Sequence, residues 1–206
     1  MRAIGRNRFS SLLYPFISAF VSMVWLAPTV AQEHAHHHHN MTAEQLAELR
    51  EKVPLYREMT DEQIAENMMG MGPAVEEYLS EPVLSGKVGI LTLGHGFGPE
   101  GDAIFRTAHN EIATKHPTAM ALGMAMMSSS HIQVAVDKLT SAGAETILVV
   151  PVTTLKSGKL IGQWRYIFGE QAEAPWMSVP LVETDARVVF GPTPSDDPVI
   201  SRLLLG

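Results

Sequence analysis

A histidine between two glycines, Gly94-His95-Gly96, follows the apolar run Val88 to Leu93. A short β-rich run stopped by glycines reads as a buried parallel strand, and residues just past its carboxyl end stand where doubly wound α/β folds place their chemistry. The glycines let the backbone turn and leave the imidazole uncrowded, so His95 is a candidate general base or metal ligand. A glycine turn carrying an incidental histidine fits the same residues.

Further candidates lie on either side. His34 and His36, His37, His38 and His39 put five imidazoles within six positions of the low-complexity stretch 32–40, a density that can chelate a divalent first-row metal. An affinity tag would look the same; the interruption at Ala35 and the place directly after a leader-like segment favour a native metal-collecting tail. Ser128-Ser129-Ser130-His131 falls between a strand and a helix, where hydroxyls and free N–H groups can receive an anion or simply cap the helix. His131 reaches the same sheet edge as His95. In the loop after the third α/β strand, Lys156 and Lys159, followed by Arg165, suggest a carboxylate or phosphate ligand as readily as solvated cations. Gly96-Phe97-Gly98-Pro99-Glu100-Gly101 matches a dinucleotide fingerprint, but no carboxylate follows between Ala119 and Met127 to hold a ribose, and Glu100 would face the pyrophosphate. Nicotinamide and flavin binding are therefore set aside. His109 and His116 read as structural, and Met68, Met69 and Met71 as adaptable packing rather than a Cu(I) site.

Composition narrows the classes. Arg2, Arg6 and Arg8, the mostly apolar Leu12 to Leu26 and the small residues Thr29-Val30-Ala31 form an export signal over 1–31, which directs the protein to the periplasm. An uncleaved membrane anchor is the alternative, since no charge occurs from Phe9 to Gln32. Without those three arginines the 15 basic residues fall to 12 against 22 acidic ones, a formal charge of −10, which argues against nucleic acid as a partner. Because the chain has no cysteine, any metal must be held by histidine, carboxylate or methionine.

The elements that would position these residues follow from pattern. Thr42-x-x-Gln45 and Thr60-x-x-Gln63 are capping boxes for helices running to about Val53 and Met69. A third helical piece starts at Pro73, carries Val75, Tyr78 and Leu79 and ends before Pro82, which completes a helical extension over 41–84. From 85 to 206 strands and helices alternate. Strands are expected near 87–93, 118–126, 145–151 and 186–190, and helices near 101–115, 130–142, 158–168 and 197–205, with Gly143 as a left-handed C-terminal cap. That pattern is α/β, a small parallel sheet with helices on both faces, preceded by short helices.

In order and spacing, Gly94-His95-Gly96, the helix from Asp102, Ala142-Gly143-Ala144 before Ile147 to Pro151, the Ser157-Gly158 loop and the late Phe190-Gly191-Pro192 with Pro194 resemble a known family. They are similar to the small sirohydrochlorin cobalt and iron chelatases of the cobalamin and sirohaem pathways, over about residues 85–206. The resemblance implies a chelatase-like fold, a metal-binding His95, a divalent metal ion (cobalt, iron or nickel), a tetrapyrrole bound at the same edge and a homodimer. If the chain is such an enzyme, His95 acts as base or transient ligand during metal insertion, Lys156, Lys159 and Arg165 hold the macrocycle's carboxylates, and Ser128, Ser129 and Ser130 are further candidates for substrate binding.

Two family features are replaced. Where the family has a second metal-binding histidine this chain has Lys159, whose protonated amine offers no lone pair, and where it tends to have a glutamate near the end of strand two this chain has Met126 and Met127. Export also departs from a cytoplasmic pathway. Three functions follow for test: a chelatase-like enzyme, a non-catalytic exported metal-binding or metal-delivery protein, and an anion-binding module in which His95 only orients its loop.

Overall fold

The computed structural model of the chain describes residues 41–193 except 71, 81–83, 126, 127 and 154–156, together with 202. The histidine tract, the leader segment, Met71, Met126, Met127, Lys156, Pro194 and, apart from Arg202, the helix expected near 197–205 lie outside those residues.

Helix α1 (Ala43–Lys52) opens on the capping box at Thr42, where the Thr42 hydroxyl accepts from Gln45 N and the Gln45 side chain accepts from Thr42 N. After a single 3₁₀ turn at Pro54–Tyr56, α2 (Asp61–Gly70) starts on the same arrangement between Thr60 and Gln63. Both starts match their sequence signature.

The residues after Pro73 correct the sequence reading. They form a strand, β1 (Val75–Tyr78), and not a third helix. Val75, Tyr78 and Leu79 fit a helical stripe, but four residues are too few for the period to decide. Pairing with a partner more than forty positions away does decide it: Val75 stands opposite Leu122 and Tyr78 opposite Ala119, antiparallel. The extension thereby adds an edge strand to the sheet.

The α/β part follows as β2 (Val88–Gly94), α3 (Gly98–Ala113), β3 (Thr118–Leu122), α4 (Ser130–Ser141), β4 (Thr146–Pro151), α5 (Lys159–Ile167) and β5 (Arg187–Phe190). β3 is shorter than the apolar run to 126 suggested, because the chain leaves the sheet at Gly123. The five strands lie in the order β1-β3-β2-β4-β5, parallel except for β1. The protein is thus an α/β fold with a mostly parallel five-stranded sheet.

Strand alternation divides the core. Leu91, Leu93, Ala119, Ala121, Ile147 and Val149 face one side, where they pack with Ile132, Val136 and Leu139 of α4 and with Ile161, Trp164 and Ile167 of α5. Leu49 of α1 and Ile64 of α2, both fully buried, belong to that same cluster, so the extension is part of the core. Met120 and Leu122 face the other side with Ala113 of α3. Gly143 closes α4 at φ +92°, as its sequence position implied.

Candidate functional site

β2 is the central strand of the order, and it is where the winding reverses. From β2 the chain passes through α3 to β3 on one side, and from β3 it crosses through α4 to β4 on the other. In such sheets the crevice beyond the carboxyl ends of the two strands flanking the reversal is the usual place for a ligand. His95 leaves β2 at that crevice. Its neighbours are fixed by backbone bonds: Val152 N donates to Leu93 O at 2.7 Å, and Gly123 N donates to Gly94 O at 3.0 Å.

Gly96 has φ +97°, a conformation open to glycine, and this turns the chain directly into α3. The carboxylate of Asp102 then accepts from Phe97 N at 2.8 Å and fastens the turn to the first coil of the helix. His95 itself is half-buried, and no hydrogen bond or ion pair to its ring occurs among the described residues. Burial pushes the imidazole below its ordinary 6.5, so at neutral pH it is uncharged and has a lone pair to offer.

His131 lies beside Gly123, where β3 ends. It lies in the first turn of α4, is 4% exposed, and its Nε2 stands 3.2 Å from where a Cβ on Gly123 would be. A Cβ on Gly96 would in turn stand 4.0 Å from Gly123 N. The loops carrying the two histidines therefore meet at Gly123, and only a residue without a side chain fits there: its Cβ would lie 2.7 Å from Ala74 Cβ.

The other candidates are engaged within the chain. Ser129 Oγ donates to Pro180 O at 2.6 Å, and Ser128 Oγ accepts from Ser130 N at 3.2 Å and lies 2.9 Å from Ser130 Oγ. These contacts start α4 and tie down the 180 segment. Lys159 Nζ donates to Lys52 O at 2.6 Å, at the C-terminal end of α1. Arg165 pairs with Glu170 and lies over the Phe190 ring, 4.9 Å from its centroid. His109 is buried: its Nδ1 is 3.3 Å from Thr92 Oγ1, and its ring packs on Phe105. His116 is exposed beyond α3.

Gln163 is a residue that the sequence reading passed over. Fully buried on α5, it donates to Ala125 O and Met177 O and accepts from Trp176 N, and so holds the loop after β3 against the 174–177 segment. A glutamine between Ile161 and Trp164 on a helix otherwise packed into the core was the available signal.

A groove of about 440 Å³ lined by Tyr78, Ser85, Val134, Asp137 and Lys138 opens beside the later turns of α4, toward the opposite end of the sheet. It contains no histidine, nor does a second groove lined by Met59, Gln63, Glu66 and Asn67. Among the described residues no group of three or more His, Asp or Glu side chains is placed to hold a metal, and no helix is long and apolar enough to cross a membrane. What the crevice offers chemically is the half-buried imidazole of His95. No protein-family model and no curated protein matches the chain.

Proposed function

We propose that this chain is a chelatase-like protein that binds a divalent metal, cobalt, iron or nickel, through His95, and that it holds or delivers the ion after export. The observation that carries the reading is the half-buried imidazole of His95 at the point where the winding of the sheet reverses, where burial lowers its pKa. A neutral imidazole is a good ligand for first-row divalent ions.

The reaction that the family resemblance implies is insertion of cobalt or iron into sirohydrochlorin or a related tetrapyrrole. There His95 would accept pyrrole N–H protons or release the metal as the ring nitrogens take it. Holding the macrocycle's carboxylates needs cations facing the crevice. Lys159 is bonded to Lys52 O and Arg165 is paired with Glu170, and these contacts favour metal binding and delivery over turnover. A single α/β copy also gives a homodimer, as in the family, with the two sites facing each other.

Calorimetric titration with Co²⁺ tests the reading in the full chain with His34, His36, His37, His38 and His39 replaced by alanine. His95→Ala should weaken the remaining site at least tenfold. Unchanged affinity would remove His95 as a ligand and leave the anion-binding module as the better account. Anaerobic incubation with sirohydrochlorin and Co²⁺, followed by absorption spectra, separates delivery from insertion.

A further inference from the structure

We propose that the ring of Phe97 is a stacking face for a flat, conjugated metal chelate bound at His95. The proposal rests on the reading of His95 as a metal ligand and adds the chemical class of the molecule that brings or receives the ion.

The glycine-rich turn is built around this ring. Gly96-Phe97-Gly98-Pro99-Glu100-Gly101 has the spacing of a dinucleotide fingerprint, yet its last glycine makes room for a side chain of the turn itself. A Cβ on Gly101 would lie 2.5 Å from Phe97 Cβ, closer than two such atoms can approach. Gly101 stands inside α3, where glycine is a poor helix former, so its presence there answers to Phe97 and not to the helix. Phe97 Cε2 comes back over Gly94, 3.6 Å from where a Cβ on that residue would stand, which brings the ring beside the residue that precedes His95.

Phe97 does not serve the helix either. It occupies the N-cap of α3, a position that Ser, Thr, Asp and Asn favour because their side chains accept from the first free N–H groups, and it makes no such bond. The turn is tied down instead by Asp102, whose carboxylate accepts from Phe97 N.

The ring is nonetheless held. It packs on Phe105 with 5.4 Å between centroids, and Phe105 rests in turn on the buried His109 at 4.6 Å. A column of rings thus supports Phe97 from the α3 side, while 52% of the residue stays exposed. Two residues past His95, its Cα is at most about 7 Å from that of the histidine. An aromatic face at this distance can cover a ligand that His95 holds through its metal. It pairs best with another conjugated plane, offset or tilted, and a saturated chelate presents none.

The test compares two nickel complexes in the full chain with the five tail histidines replaced by alanine. In nickel–terpyridine three conjugated rings lie in one plane, whereas nickel–nitrilotriacetate has no ring system to stack. By calorimetry, Phe97→Leu, which keeps an apolar side chain on Phe105, should weaken nickel–terpyridine binding about fivefold and change nickel–nitrilotriacetate binding by less than about twofold. Phe97→Trp should bind both complexes as the parent does, and His95→Ala should weaken both. If His95→Ala weakens both and Phe97→Leu leaves terpyridine binding unchanged, or weakens the two complexes equally, the stacking face is overturned while the reading of His95 stands. If His95→Ala weakens neither, that reading fails, and a chelate bound at His95 fails with it.

Discussion

Lys159, the first residue of α5, donates its ammonium to the backbone carbonyl of Lys52, the last residue of α1, at 2.6 Å. A helix ends on carbonyls without partners inside the helix and on the negative end of its dipole, so a cation there meets both needs. The contact also fastens the N-terminal extension to the loop that follows β4. A second clamp lies one turn earlier, where Glu48 accepts from Lys52 Nζ and from Ser178 N and Oγ, while Lys52 Nζ also donates to Ala174 O. Where the family resemblance expects a metal-binding histidine, this chain has a residue that holds its extension in place.

Replacing that residue should therefore show up in stability and not in metal affinity. Lys159→Met removes one charge-assisted hydrogen bond at an exposed position, worth about 1 kcal/mol, and should lower the Tm by about 2–4 °C. Co²⁺ affinity of the tail-substituted chain should stay within about twofold. A large change in affinity with an unchanged Tm would place Lys159 in the site instead.

Gln163 predicts a larger loss. Gln163→Leu keeps the volume but leaves Ala125 O, Met177 O and Trp176 N buried without their side-chain partner, and the cost should be about 2–4 kcal/mol. Urea unfolding measures it. A loss below about 0.5 kcal/mol would mean that the backbone around α5 finds other partners.

The strands that the sequence revealed are those whose signal is local. β2 and β4 are continuous apolar runs because both faces of a central parallel strand are covered, and Gly94-His95-Gly96 and Gly143 mark their turns directly. β1 was hidden because its strand character depends on β3, whose edge it pairs. The position of His95 was legible for the same reason as β2. The occupations of Ser129, Lys159 and Arg165 were not: Pro180 and Lys52 are brought in by tertiary folding from 51 and 107 positions away, and the cation–ring contact to Phe190 forms only once β5 joins the sheet.

The burial of His109 gives the fold a pH dependence. Burial holds its pKa below the ordinary 6.5, so the folded chain stays unprotonated at His109 while the unfolded chain takes up a proton. The unfolded state then binds more protons, and stability falls as the pH drops from about 6.5 toward the lower folded value. His95 adds a change of the same sign for the same reason. The Tm should be level above pH 7 and decline below about 6.5, and His109→Gln, which cannot be protonated, should flatten the decline. A Tm that rises on acidification through this window would contradict the buried, neutral state of His109.

The histidine tract makes a claim about number rather than affinity. His34 and His36 to His39 supply five imidazoles within six positions, more than enough for one first-row ion, whereas the crevice supplies His95. Two separate donor sets give two binding events. Titration of the full chain with Co²⁺ or Ni²⁺ should count at least one more ion than the chain with the five histidines replaced by alanine, and the site that remains should keep its affinity. If the count is unchanged, the tract holds no ion of its own. If instead the remaining site is lost with the tract, the tail histidines are ligands of the His95 site, and the ion is held jointly by tail and crevice rather than passed between them.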